Sequence, residues 1–356
     1  MKYIKWESAD ITDEEIQSVV CSLRTGYVGS GDFVKRFETE FAQKTGAKYA
    51  IAVNNGTSGL LCSLMALRAM YKDLVVGVPT FTFIASANTA SFVAKKIRLM
   101  DCNVRTWNID AENTSSEINL LMTVDVGGLP CDYDALEKLG IPILADSAES
   151  AGARYKGEVV GKQADIHVFS LHRSKIIATG EGGMITTNNK DLYEAMKSLA
   201  NHGYGYRKPW EYVHAVKGLN FRMTDLEASV GIVQLKKLDK YVAERRKKAT
   251  IYKDIIGDLV EYQYEPEYAL HPYFFFGIII KEDVSRFCAE MYRKDIEVRT
   301  WAPVHKQTPY REDPGEFPNA DYLSERVVLL PIHNCMTEED VKNVSESVVK
   351  LLKQLD

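Results

Sequence analysis

The chain is poor in the features that mark a redox scaffold, a metal site, a membrane protein or a nucleic-acid binder. It has six cysteines in 356 residues. Cys21, Cys62, Cys102, Cys131, Cys288 and Cys335 are scattered with no C-x-x-C spacing, so neither a disulfide framework nor a zinc site is expected. His167, His202, His214 and His271 fall at no metal-ligand spacing either, and no metal is expected. No apolar stretch reaches transmembrane length, and the opening MKYIKWESAD lacks a signal-peptide run, so the expectation is a cytoplasmic protein with no membrane partner. Basic residues do not accumulate: the formal net charge is −5. The densest basic run, Arg245-Arg-Lys-Lys248, sits in a helical pattern and reads as a solvated helix face, so no nucleic-acid partner is expected. No G-x-G-x-x-G opens a helix, which counts against a dinucleotide-binding protein. Repeats and low-complexity segments are absent.

What is present is an ordinary globular composition, 46% hydrophobic and 26% charged, enough for one large domain and a smaller one. Thr12-Asp-Glu-Glu15 is a capping box ahead of Ile16, Val19, Val20 and Leu23. Phe33, Phe37 and Phe41 recur every four residues, so 32–45 reads as an amphipathic helix stopped by Gly46. Strands and helices then alternate. Strands are expected at 49–53, 75–78, 97–100, 120–124 and 143–145, with helices at 59–70, 82–93 and 133–139. This rhythm predicts an α/β fold with a mainly parallel sheet flanked by helices. Such sheets bind ligands at the carboxyl ends of their strands. A helix is expected over 190–201. Thr224-Asp-Leu-Glu227 caps another, through about Leu235, with a separate charged helix from about Lys237. Beyond residue 250 the pattern changes. A buried strand at 273–280, a helix at 284–293 and a helix capped by Thr337-Glu-Glu-Asp340 indicate a smaller C-terminal α+β domain. Domains are therefore expected at 1–240 and 241–356, with the N-terminal helix available to pack on the second. Gln307–Asn319, rich in Pro, Asp and Glu, reads as a mobile loop.

The chemistry gathers on residues 165–187, DIHVFSLHRSKIIATGEGGMITT. This is a β-forming run, a polar turn holding Lys175, a glycine loop 180–183 and a second short strand. A lysine held in such a turn is partly desolvated, which favours its neutral, nucleophilic amine. Amines of this kind form Schiff bases with carbonyl substrates and with pyridoxal phosphate. Other loops at predicted strand ends add partners. Gly56, Thr57 and Ser58 open a helix and form a ready phosphate site. Asp146 presents a carboxylate with Glu149 one turn on, Phe83 could stack on a planar ring, and Ser170 could add a hydroxyl to the phosphate.

Taken in order along nearly the whole chain, several strings resemble those of the DegT/DnrJ/EryC1/StrS sugar aminotransferases, a branch of the fold-type I pyridoxal-phosphate enzymes. The carriers are NNGTSGL (54–60), VPTFTFIASAN (78–88), TWNID (106–110), ADSAESAGA (145–153), FSLHRSKIIATGEGGMITTN (169–188), GLNFRMTDLEASVGIVQL (218–235), PVHKQTPY (303–310) and LPIH (330–333). Within that family several look most like the GDP-perosamine synthases. The resemblance implies a large domain with a mainly parallel seven-stranded sheet and a smaller C-terminal domain. It implies pyridoxal 5′-phosphate, alternating with its pyridoxamine form, as cofactor. Lys175 would hold the cofactor and carry the proton, Asp146 would pair with the ring nitrogen, and Glu149 would approach the ring hydroxyl. Phe83 would stack, and Gly56, Thr57, Ser58 and Ser170 would cup the phosphate. Asn220 would reach the phosphate of the neighbouring subunit's cofactor, which implies a homodimer with shared active sites.

By the same resemblance, the reaction transfers an amino group from an amino-acid donor, L-glutamate by family habit, to a nucleotide-linked 4-keto-6-deoxy sugar. Candidate substrate-binding residues are Tyr27, His172, Arg222, Arg299, His305 and His333, with Lys306 a further candidate for the diphosphate. Two departures bear on the substrate. Relatives often read PVHLYG where this chain has Thr123-Val-Asp-Val-Gly-Gly128. Leu171-His-Arg-Ser replaces the aromatic-Gly-Asn typical of perosamine synthases and is similar to relatives acting on dTDP- or UDP-linked sugars. A cofactor-dependent sugar dehydratase of the same fold is a rival, but it would have histidine in place of Lys175. A catalytically silent cofactor-binding regulatory protein is another, opposed by the intact Asp146, Ser170, Lys175 and Asn220.

Overall fold

A computed structural model describes residues 3–208, 210–312 and 315–355. Its centre is a seven-stranded sheet built from β1 (Tyr49–Val53), β2 (Val75–Pro79), β3 (Lys96–Met100), β4 (Leu120–Val124), β5 (Ile143–Asp146), β6 (Ile166–Ser170) and β7 (Gly183–Thr187). The spatial order is β1-β7-β6-β5-β4-β2-β3. Neighbours from β6 through β3 pair in parallel, while β7 runs antiparallel to both β1 and β6. Only β7 is therefore reversed, and the carboxyl ends of the other strands share one rim. Register places Asp146 beside Val124 and Val168, and sets Gly183 opposite both Val53 and Ser170. β4, β5 and β6 are buried throughout, as continuous Val/Ile/Leu-rich runs covered on both faces require.

Helices α1 (Asp13–Arg24), α2 (Asp32–Thr45), α3 (Gly56–Met70), α4 (Ile84–Val93), α5 (Tyr133–Glu137), α6 (Lys190–Leu199), α7 (Asp225–Ile256), α8 (Val284–Arg293), α9 (Pro318–Ser324) and α10 (Glu338–Leu355) accompany the strands. α9 has no counterpart in the sequence pattern, and α3 and α7 differ from it. α3 starts at Gly56 rather than 59, because the Asn55 side chain accepts the Ser58 N–H at 2.7 Å and so caps the helix earlier. The two helices expected on either side of residue 236 are one 32-residue helix. No glycine or proline interrupts 232–256, so nothing breaks it. The boundary expected at 240/241 lies inside α7. The hairpin Tyr204–Lys208/Glu211–His214 has no counterpart in the expected elements. Of Gln307–Asn319, Thr308–Tyr310 forms a 3₁₀ turn and Asn319 lies in α9, tied to Asp101 and Cys102, while 313 and 314 lie outside the described residues.

The run FFFGIII shows how the second unit joins the first. The strand Phe276–Ile279 sits in a four-stranded antiparallel sheet beside Val327–Leu330, with Glu261–Tyr262 and Arg299–Thr300 at the edges. Successive side chains leave opposite faces of a strand. Phe275, Ile279, Val327 and Leu329 enter the large core, whereas Phe276, Ile278, Val328 and Leu330 enter a second core with Tyr252, Phe287 and Val344. The one gap, Gly277, is filled: a Cβ there would lie 2.3 Å from the buried Trp107 ring.

Only part of the basic run on α7 is a solvated face: Lys247 is exposed, but Arg245 and Lys248 turn inward. Arg245 is 1% and Lys248 5% exposed. The Arg245 guanidinium donates to the carbonyls of Tyr273 and Phe274 at 3.0 and 3.1 Å, and Lys248 Nζ donates to the His333 carbonyl at 2.9 Å. Carbonyls at irregular chain ends have no ladder partner, and long cationic side chains on a passing helix supply the donors.

Helix α1 lies along the first half of α7, with the Ser18 hydroxyl donating to the Ser229 carbonyl. The segment that joins the C-terminal core is the one before α1: Ile4 bridges Ile296, and the Trp6 N–H donates to Glu297. α1 is anchored to α7 through Glu15, which is 1% exposed. Burial alone would raise its pKa, but bonds from Lys237 Nζ at 2.8 Å, Thr12 and Gln234 outweigh it and lower the value to about 2. A depressed folded-state pKa stabilises above the unfolded value near 4.5, and that stability disappears as pH falls through about 2. The unfolding free energy from urea titrations should thus fall by roughly 2–3 kcal/mol from this group between pH 5 and 2. Glu15→Gln should flatten that part of the profile.

Candidate active site

The shared rim of the sheet opens into a cavity of about 650 Å³. Gly56, Thr57, Ser58, Phe83, Asp146, Glu149, Ser170, His172 and Lys175 all line it. These residues span 120 positions and are gathered because each follows a strand ending on the same rim. A larger, more open depression of about 990 Å³ between Arg105 and Tyr322 contains none of them.

Lys175 sits in a turn closed by its own loop. The Arg173 N–H donates to Gly180, Leu171 to Gly182 and Thr179 to Leu171. Its amine lies 3.6 Å from Glu149 Oε1 and 4.1 Å from the centroid of Phe274, whose carbonyl Arg245 holds. The lysine side chain is 14% exposed, so the amine is confined between a carboxylate and an aromatic face.

Two buried carboxylates face this amine. Asp146 ends β5 and accepts from Ser86 Oγ at 2.7 Å and from the Ala148 N–H at 3.2 Å. Burial pushes its pKa up, against the Ser86 and Ala148 bonds and the Lys175 charge. Glu149 accepts from the Gly127 N–H at 2.8 Å. Burial raises its pKa as well; Lys175 and the Gly127 bond oppose this, and the Asp146 charge adds to it. Two buried carboxyl groups beside one lysine leave acceptor capacity for a further N–H donor.

The opposite wall is the start of α3, whose first turn carries no acidic residue. Its free N–H groups, with the Thr57, Ser58 and Ser170 hydroxyls, form an anion cradle. The backbone is drawn close here: a Cβ on Gly56 would lie 3.1 Å from Ser170 Cβ, and one on Gly183 would lie 2.7 Å from the Asn55 carbonyl. Phe83, 68% exposed at the entrance to α4, is a free aromatic face at the mouth. An anion cradle, a lysine, a buried carboxylate and an aromatic face are the elements that a phosphorylated pyridine aldehyde requires, so these residues fit that cofactor.

Other candidates lie elsewhere. Tyr27 is exposed and bonds Ser30. Asn220 is exposed, and Arg222 donates to Asn201 at 2.7 Å. Arg299 bonds Tyr292 and lies 5.8 Å over Trp6. Lys306 pairs with Asp321. His305 is a tie, with Nδ1 2.8 Å from Thr80 Oγ1 and Nε2 3.1 Å from Asp321. His333 contacts the Lys5 carbonyl, and burial lowers its pKa to about 4. None of these seven lines the cavity of its own chain. Conversely, Trp6, Phe274 and Trp301 line it, and Ser86 bonds Asp146, though none of the four was anticipated. Ser86 fell inside the string 78–88 and had a readable signal. The three aromatics come from distant segments and had none.

Comparison with known proteins agrees with this geometry. Residues 9–349 match the DegT/DnrJ/EryC1/StrS aminotransferase family, and the chain belongs to it. The family is one of pyridoxal-phosphate-dependent aminotransferases. Among its relatives, the GDP-perosamine synthase of Escherichia coli O157:H7 is 33% identical over 98% of each chain. The UDP-4-amino-4,6-dideoxy-N-acetyl-β-L-altrosamine transaminase of Campylobacter jejuni is 28% identical over 99% of this chain and 98% of that one. Spr1654 of Streptococcus pneumoniae in its PLP form superposes with a TM-score of 0.93 at 23% identity, covering 99% of this chain and 100% of that one, and so shares the fold. The sheet and its C-terminal companion are those expected of that class.

The cap at the cradle gives a direct check. Asn55→Ala removes the acceptor for the Ser58 N–H and should lower stability by about 1 kcal/mol, read as a lower urea midpoint at unchanged slope.

Proposed function

We propose that the protein transfers an amino group from L-glutamate to a nucleotide-linked 4-keto-6-deoxy sugar, giving a 4-amino-4,6-dideoxy sugar nucleotide. The observation that carries this reading is the convergence of Lys175, Asp146, Glu149 and the α3 cradle on one cavity. Bound there, pyridoxal phosphate supplies an electron-accepting ring that stabilises the charge left when a proton leaves the carbon beside the amine. The residues do the rest. The α3 N–H groups with Thr57, Ser58 and Ser170 hold the phosphate. Asp146 would accept a hydrogen bond from the protonated ring nitrogen and so keep that proton on the nitrogen. Glu149, at 3.6 Å, holds the Lys175 amine at the reacting edge. Lys175 would hold the cofactor and would take and return the proton at Nζ. Phe83 covers the exposed face, and the aromatic wall of Trp6, Phe274 and Trp301 limits water.

The relatives' names support a nucleotide-sugar substrate, with GDP- and UDP-linked sugars the first to test. His172, at the cavity, is the candidate sugar contact supported by position. The same reading makes the protein a cytoplasmic homodimer. Asn220 stands outside its own cavity, and exposed Trp210, Tyr212, Val216 and Leu219 lie nearby in sequence. A second subunit would bury these side chains and receive Asn220 at its phosphate.

Loaded with pyridoxal phosphate, wild-type protein should show a visible band that glutamate converts to near-ultraviolet absorbance; Lys175→Ala should show neither. A wild-type spectrum indistinguishable from the variant's would remove the assignment. If Asn220 acts across the interface, mixing Lys175→Ala and Asn220→Ala protein under subunit exchange should restore activity neither has alone. Mixed dimers then contain one site with both residues intact. Failure of exchanged subunits to complement would place Asn220 in its own chain's function only.

A further inference from the structure

Asp125 lies in the turn 123–128, where this chain departs from the PVHLYG found in many relatives. On sequence that departure bears on substrate contacts. In the structure Asp125 is 0% exposed and does not line the cavity. It follows β4 directly and is surrounded by donors. Oδ1 accepts from the Cys131 N–H at 3.0 Å and the Tyr133 hydroxyl at 2.8 Å. Oδ2 accepts from Ser147 Oγ at 3.0 Å and Ser150 Oγ at 2.7 Å. Those two serines flank Glu149, and Ser147 follows Asp146 directly.

The direction of the network is determined. The backbone N–H groups of Gln163 and Ala164 point at His167 Nε2, at 3.1 and 2.9 Å. That nitrogen must accept, so the ring proton is on Nδ1 and points to Ser147 Oγ at 2.9 Å. Ser147 then has its own proton free for Asp125. The chain runs His167 to Ser147 to Asp125, and every member polarises the next. Burial holds the His167 pKa down, at about 3, and so keeps it neutral. Burial pushes the Asp125 pKa up, and the bonds from Ser150, Cys131, Tyr133 and Ser147 oppose that rise. The same turn supplies the Gly127 N–H to Glu149.

Resting on the proposed cofactor site, we propose that Asp125 is a positioning residue: through Ser147 and Ser150 it clamps residues 146–150 and aims Asp146 and Glu149 into the cavity. The turn 123–128 thereby bears on how the two carboxyl groups at the cavity are held. Without this anchor the Ser147 hydroxyl proton would lose its acceptor and Ser150 would keep only its 3.4 Å contact with the Ser147 carbonyl, and the turn would relax until they found other partners.

The test compares wild type and Asp125→Asn. Three quantities are read: the pyridoxal phosphate concentration for half-saturation, the induced circular dichroism per bound cofactor, and hydrogen exchange of the peptide 146–152 in cofactor-free protein. The amide cannot accept from all four donors. Half-saturation should rise about tenfold, ellipticity per bound cofactor should fall, and exchange should quicken in 146–152 but not in α8. Wild-type values for all three in a folded variant would overturn the proposal. So would uniformly faster exchange with unchanged ellipticity per bound cofactor, the signature of a merely structural role. If Asp125→Asn does not fold, Ser150→Ala removes a single donor. A rise of about threefold with the same local exchange supports the proposal, and wild-type behaviour overturns it. Wild type that takes up no cofactor would overturn the cofactor-site reading together with this proposal. Failure confined to the variants would overturn this proposal alone.

Discussion

Carrying negative charge out of water at the ends of the sheet is the constraint on which the rest of the site depends. Asp125, Asp146 and Glu149 are all nearly inaccessible to solvent, and a buried carboxylate persists only if donors surround it. The fold supplies them from different directions. α4 gives Ser86, the turn after β4 gives the Gly127 N–H, and the chain after β5 supplies Ser147 and Ser150 to Asp125. Lys175 then enters beside two carboxyl groups already fixed in place. Moving any one carboxyl group would strand the donors that surround it.

The second unit contributes through shared strands rather than a separate wall. Phe276–Ile279 and Val327–Leu330 divide their side chains between two cores, so the small sheet cannot shift without disturbing both. Phe274, just before the first of these strands, is thereby fixed under the Lys175 amine, with Arg245 of α7 holding its carbonyl. The N-terminal segment follows the same logic. Ile4 is stitched to Ile296, and Trp6, two residues on, reaches the cavity. α7 crosses from one core to the other without a break, leaving the first at Val242 and entering the second at Ala249.

Reversal of β7 makes the lysine loop possible. β6 and β7 form an antiparallel pair, so the chain between them returns to the rim it left, and Lys175 projects where the parallel strands end. The close backbone approach at Gly56 and Gly183 draws the start of α3 against the end of β6. Helix terminus and lysine therefore share one cavity although 119 positions separate Gly56 from Lys175.

Local spacing carried much of this. The alternation of apolar runs and helical periods, the boxes at Thr12 and Thr224, and a lysine between a β-forming run and a glycine loop are properties of neighbouring residues. Each is expressed within a single element, so the parallel architecture and the ring of Gly56, Phe83, Asp146, Ser170 and Lys175 could be read from sequence alone. Contacts between elements could not. The burial of Arg245 and Lys248, the binding of His305 by Thr80 and Asp321, the aromatic wall from Trp6, Phe274 and Trp301, and the inward turn of Asp125 all depend on partners tens to hundreds of positions away. Periodicity says which face of its own element a side chain occupies. What that face meets is decided only when burial and the demand for hydrogen-bond partners are satisfied for the whole chain at once.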